Sequence, residues 1–221
     1  MLQIAEQWKN SFPGAGVGIL VVDHVTNPEH SAMLDEQKRM IENELRSKYS
    51  NRSELVESPI LDAYIAYYKK FAKTYHVQQQ MESVIFKSKS IPNVAGLVET
   101  MFMAELKNGL LTAGHDYLAL QLPLKLNVVN DEEQYILMNG KTQIAKPGDM
   151  RISDEAGIIS SIIHGPDSRT RITSETTKVM FVVYAPSGIP HDFVFQHLSD
   201  IYSYIKLFAP NSEVEFQNIN F

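Results

Sequence analysis

Cysteine is missing from the 221 residues. That excludes disulfides, thiol nucleophiles and thiolate-bound metals, and it agrees with a cytoplasmic location. No apolar run approaches the roughly 20 residues needed to span a membrane. The opening MLQIAEQWKNSFPG has no basic stretch followed by an apolar core, so a signal peptide is not expected. Positive charge is also short: 20 Lys and Arg face 26 Asp and Glu, a formal net charge of −6. General nucleic-acid binding rests on phosphate neutralisation, so any RNA contact must use a local basic patch. Lys69, Lys70 and Lys73 cluster, as do Lys87 with Lys89 and Arg169 with Arg171. No serine occupies a Gly-x-Ser-x-Gly elbow, which argues against a covalent serine mechanism. No His-x-x-x-His pair occurs, and the six-residue spacing of His191 and His197 separates them on a helix. Neither a metal nor a cofactor is therefore expected.

What is present centres on 152–186. Ile158 to Ile163 and Lys178 to Ala185 read as two strands, the second rich in β-branched and aromatic residues. They are joined by a polar connection of about fourteen residues, longer than a hairpin needs, and such loops are often functional. It carries His164, Asp167, Ser168, Arg169, Thr170, Arg171 and Thr173.

The chain before it is helical. Gly16–Val25 reads as a buried strand; its glycines precede that strand, whereas a dinucleotide-binding loop follows one. Helices are expected over 28–49, from Ser58 (N-cap, with Pro59 at the first position), over 78–87, and from an Asn93 cap to Asn108-Gly109. Ser50–Glu57 reads as a loop. The stripe Leu61, Tyr64, Ile65, Tyr68, Phe71, Ala72 and Tyr75 reads as core, and Val94, Leu97, Val98, Met101 and Phe102 give the later helix an inward face. The period then changes to two at Leu124, Leu126 and Val128, and Asn139-Gly140 marks a hairpin. A helix over 193–207 and an edge strand from Glu213 to Phe221 close the chain. Helices, then strands, then a helix predict one α+β domain over 1–221, its helical N-terminal half packed on a largely antiparallel sheet.

Over 12–189 the segments FPGAGVGILVVDHVTN, SPILDAYIAYYKKF, SKSIPNVAGLVETMF, AGHDYLAL and DEAGIISSIIHGPDSRTRITSETTKVMFVVYAP occur in an order and spacing that resemble a known family. It is the free-standing form of the third-and-fourth-domain module of the phenylalanyl-tRNA synthetase β subunit. The resemblance implies an α+β unit with an editing pocket, where the ester linking a wrong amino acid to the tRNA 3′ end is hydrolysed. ATP-binding and anticodon-binding segments are absent, so amino-acid activation is not implied. The chain departs from the family at Phe102 (commonly asparagine), at Ser83 and Val84 (arginines in stand-alone members), at Ala113 (an editing histidine) and at Ser168 (the acidic residue that recognises tyrosine). The pocket's location carries over; tyrosine specificity does not.

Ester hydrolysis needs an activated water and a stabilised oxyanion. His115 is the candidate base, with Asp116 to orient it if the segment is a loop; on a strand the two would point apart. His164 is a second candidate. Arg169 or Arg171 can grip a phosphate or carboxylate as a fork, and Ser160, Thr170 and Thr173 can donate to a ligand, with Asp167 and Ser168 beside them. Three functions stay open: a deacylase acting in trans on mischarged tRNA, a non-catalytic binder of tRNA ends, and a binder or hydrolase of a free amino-acid-like ligand that has lost RNA. Monomer and homodimer both stay open.

Overall fold

Gly16–Asp23 is buried at every position but the last, as expected of a strand whose sheet is covered on both faces. The structure, a computed structural model, describes residues 2–221. In chain order it begins with Leu2–Ile4 (β1), Glu6–Ser11 (α1) and Gly16–Asp23 (β2). The helices Ala32–Lys48 (α2), Arg52–Val56 (α3), Pro59–Lys69 (α4), His76–Phe86 (α5) and Gly96–Asn108 (α6) follow. Then come Leu111–Asp116 (β3), Leu124–Val128 (β4), Gln134–Ile136 (β5), Thr142–Ile144 (β6), Met150–Asp154 (β7), Gly157–Ser161 (β8), Gly165–Pro166 (β9) and Val179–Ala185 (β10). His191–Lys206 (α7) and Glu213–Asn220 (β11) end the chain.

Local chemistry explains where the helices begin. Ser58 stands at the N-cap position of α4, without a side-chain capping bond, and Pro59 opens the helix. α2 begins at a Ser31 cap rather than near Pro28, because the Pro28 carbonyl accepts the Gly96 N–H (2.8 Å) and Asn27 Oδ1 accepts the Leu97 N–H (2.9 Å). That stretch docks α6 instead of opening a helix. The expected loop at 50–57 contains α3, which opens on an Asn51 side-chain cap. Asn51 accepts the Glu54 N–H and Glu54 reaches back to the Ser50 N–H. Asn93 does not cap α6; its Oδ1 accepts from the buried Lys38 ammonium (2.6 Å), and the cap position falls to Ala95.

The strands form two main sheets, not one. The first runs β1-β4-β7-β8-β9 and contains one parallel pair, β1 with β4. The second runs β11-β2-β10-β3 and is wholly antiparallel. The β5-β6 hairpin turns at Asn139-Gly140 as expected, and β11 is an edge strand. β8 and β10 therefore lie in different sheets, and the polar connection between them crosses from one to the other.

α6 and α7 cover one face of the second sheet. Gly18 lets α7 lie close on β2, since a Cβ there would sit 2.5 Å from Val194. The tyrosine stripe packs inside: Tyr64, Tyr68 and Tyr75 are buried, and Tyr64 stacks on Tyr75 with ring centres 4.5 Å apart. The Tyr64 hydroxyl is wedged into the β3-β10 ladder, donating to the Tyr184 carbonyl and accepting the Leu111 N–H (3.0 Å). One large apolar core joins helices and sheets, with a small satellite of Val129, Tyr135, Ala145 and Ile158 beneath the hairpin. Among the described residues no helix is long and apolar enough to cross a membrane.

Candidate functional site

The polar crossover between β8 and β10 is internally bonded. Arg169 donates to both carboxylate oxygens of Asp154 (2.8 and 2.9 Å) and to the Ala119 carbonyl (2.9 Å). Thr170 donates its hydroxyl to Asp167, which also accepts the Thr170 N–H (3.1 Å). His115 Nδ1 lies 2.7 Å from that same hydroxyl oxygen. Because the hydroxyl proton goes to Asp167, Nδ1 must carry a proton and donate, leaving the lone pair on Nε2. Arg171 donates to the Ser168 carbonyl (2.9 Å) and Thr173 Oγ1 accepts the Glu175 N–H (3.2 Å). Ser160 bonds the Tyr184 hydroxyl (2.6 Å) inside the core. These contacts link the two sheets and commit most of the candidate binding groups, while the His164 ring Nε2 has no partner among the described residues.

The expected His115–Asp116 dyad is not formed. The pair sits on β3, where neighbours face opposite sides. Asp116 caps the single turn Tyr117–Ala119 through the Leu118 N–H (2.9 Å) and accepts from Thr176 (2.7 Å). His115 is completely buried, and its Nε2 has no partner among the described residues and no exposed surface. Burial, reinforced by Arg169, pulls its pKa to about 3 and keeps it neutral. His164 is half-buried beside the connection, with its pKa lowered by burial and then by Lys73 and Lys146.

Further uncommitted groups line a cavity of about 280 Å³ between α6, the open edge of β3 and the β8-β9 turn. Its volume lies just below the roughly 300 Å³ at which the usual small-ligand range begins. Val98, Met101 and Phe102 of α6 form one wall; Ile162, Pro166 and Ile172 form the other. Within this apolar lining lies Glu105, which is 2% exposed. Its Oε1 accepts the Thr112 N–H (2.8 Å). No described residue donates to its Oε2, and no Lys, Arg or His lies within ion-pair distance of it. Burial raises the Glu105 pKa to about 8, so the side chain is mostly an uncharged acid at neutral pH.

Two residues along the strand lies Gly114. In an antiparallel ladder the N–H and C=O of one residue point the same way, alternately toward and away from the partner strand. Thr112 donates outward to Glu105, and Asp116 donates outward to the Thr170 carbonyl (2.8 Å). Gly114 stands between them with the same parity, so its N–H and C=O also point away from β10, toward the cavity it lines. A side chain here would crowd the space, since a Cβ would sit 2.8 Å from Ile172 Cδ1. The β3 edge is thus capped at both ends and open for one residue, and buried backbone groups of this kind are nearly always satisfied by some partner.

His76, Gln80 and Phe102 line both this cavity and an adjoining cleft of about 390 Å³, which also takes in Ser83 and Lys89. His76 is exposed at that junction, with Nδ1 3.3 Å from the Tyr68 hydroxyl. Reasoning on the sequence missed Glu105, although a signal was present. Val98, Met101 and Phe102 define the inward stripe of α6, and the next positions on it, four after Met101 and three after Phe102, converge on Glu105. An acid on an apolar stripe marks this cavity in the sequence.

No family model matches the chain, and no curated protein matches it. Among solved structures it is similar to an N-terminal fragment of the phenylalanyl-tRNA synthetase β subunit from Pyrococcus horikoshii, with a TM-score of 0.52 and 11% identity. The match covers 100% of this chain and 54% of that one, so the chain spans about half the length of the fragment. At this identity the likeness shows a shared α+β fold.

Proposed function

We propose that the protein recognises the aminoacyl end of a charged RNA, with the acyl group in the cavity between α6 and β3. The observation that carries this reading is the pairing of one unpartnered carboxyl, Glu105, with the open backbone edge of Gly114 in an apolar space of amino-acid scale. Likeness of fold to a tRNA synthetase fragment supports RNA as the carrier. So does the cleft at the mouth, where Lys89, Gln79, Gln80 and Ser83 offer groups to a sugar-phosphate end. Hydrolysis of the ester in trans would need a base at the mouth, and His76 is the imidazole that borders both spaces. Amino-acid activation is not proposed.

A second reading, a free amino-acid-like ligand without RNA, is favoured by the net charge of −6. The discriminating experiment measures binding of charged and uncharged tRNA across a salt series, together with deacylation of a panel of charged tRNAs. Preference for charged tRNA, weakening steeply with salt, supports the first reading. No tRNA binding, with retained affinity for amino-acid amides, supports the second. Hydrolysis lost in His76→Ala adds catalysis; no hydrolysis across the panel removes it.

A further inference from the structure

Resting on the aminoacyl reading above, we infer that the cavity selects a primary ammonium group, which Glu105 receives through Oε2, while the Gly114 N–H receives the carbonyl oxygen of the same ligand. The geometry limits the ligand class in three ways. Glu105 is the one acidic side chain in the cavity wall and has no cation paired to it. Its Oε1 is fixed by the Thr112 N–H, so the carboxyl is held in place and its second oxygen alone is free. Gly114 lies two residues along the same strand edge, which puts a backbone donor on the same side of the cavity, roughly 7 Å along the strand from Thr112. An α-amino acid ester or amide presents an ammonium and a carbonyl on adjacent atoms, with an apolar side chain free to enter the space among Val98, Met101, Phe102 and Ile172. A free carboxylate suits this site poorly, since it would face Glu105 with no cation beside it.

The groups facing Glu105 set the proton balance. Tyr64 and Tyr68 of α4, and Tyr75 just before α5, lie close enough to feel its charge, and burial keeps all three protonated. His76 stands at the mouth. His197 of α7, behind Thr112, is fully buried and neutral. Docking of an ammonium therefore draws the proton of Glu105 into solvent: the O–H bond of the acid breaks, the proton goes to buffer, and the ligand keeps its own three protons. At pH 6.5, well below the Glu105 pKa of about 8, close to one proton is released per ligand bound.

The test is calorimetric titration of the protein with L-leucinamide and L-phenylalaninamide, each beside its N-acetyl form, at pH 6.5 in buffers of different ionisation enthalpy. The expected result is binding of at least one free amide with close to one proton released, and N-acetyl forms at least tenfold weaker. In Glu105→Gln the tenfold preference and the proton release both vanish, while circular dichroism shows the fold retained. Binding of neither free amide, equal binding of amide and N-acetyl amide, or an unchanged preference in Glu105→Gln overturns the inference. Parallel binding of aminoacyl-tRNA and N-acetyl-aminoacyl-tRNA separates it from the reading it rests on. If both charged forms bind alike and better than uncharged tRNA, the ammonium assignment fails and the aminoacyl reading stands. If the amides behave as expected but charging makes no difference to tRNA, the RNA reading fails and the ammonium assignment stands.

Discussion

The crossover at 164–177 and the α6-β3 wall use polar residues in opposite ways. The crossover holds many polar side chains, and most are bonded locally: Arg169 to Asp154, Thr170 to Asp167, His115 Nδ1 to Thr170, Arg171 to the Ser168 carbonyl, while Nε2 of His115 and of His164 has no partner among the described residues. The wall holds few, and two of them, Glu105 Oε2 and the Gly114 edge, have no protein partner. Density of polar residues marks the first region as joinery between two sheets. In the second, a carboxyl oxygen and a backbone edge without partners support the proposed site, because desolvated polar groups are costly unless something satisfies them.

The largest expected effect comes from breaking the joinery. Asp154 is fully buried and accepts from Arg169, from the Gln121 N–H (2.9 Å) and from the Ala156 N–H (2.9 Å). Asp154→Ala should cost about 3 kcal/mol of stability in urea unfolding, the low end for a broken buried pair because Arg169 can still reach water. Amide binding by the folded fraction should be unchanged; a tenfold loss there would move the site back toward the crossover.

Next comes Glu105→Gln, seen through pH. The folded pKa of Glu105, about 8, lies above its unfolded value. The folded protein therefore binds the extra proton, and stability falls as pH rises from about 4.5 to 8. Gln keeps the acceptor for Thr112 without the titration. The stability of the variant relative to wild type should rise by on the order of 3 kcal/mol between pH 5 and pH 8. A flat difference across that range would mean that Glu105 is charged and solvated in the folded state.

How far the sequence revealed this follows from the same contrast. Periodicity exposed the α+β order, the tyrosine core and the Asn139-Gly140 hairpin, because each rests on local spacing. It could not show that β8 and β10 belong to different sheets, which is a matter of long-range pairing. The connection expected as a ligand loop therefore also links the two sheets. The separation of His115 from Asp116 was foreseeable once the segment is a strand. The proposed site was half legible: Glu105 stands on the stripe of α6, but the open edge at Gly114 appears only when β3 is known to be the outer strand of its sheet.

Two smaller effects sharpen the comparison. Gly114→Ala puts a methyl 2.8 Å from Ile172, a movable side chain, so stability should change by under about 1 kcal/mol. Affinity for the amides should fall about tenfold, as the methyl and the displaced Ile172 take up space beside the free N–H. Unchanged affinity would mean that the edge is not used. Arg171→Ala removes only an exposed contact to the Ser168 carbonyl. It should shift stability by no more than about 0.5 kcal/mol and leave amide binding alone, and a large binding loss would restore the crossover as a ligand surface.

The most direct measurement sets one residue of each region in the same assay: titration of Glu105→Gln and His115→Gln with L-leucinamide and L-phenylalaninamide at pH 6.5. At least a tenfold loss of affinity is expected for Glu105→Gln, and a change within about twofold for folded His115→Gln. The reverse result, with His115→Gln losing binding and Glu105→Gln retaining it, would contradict the placement of the site on the α6-β3 wall.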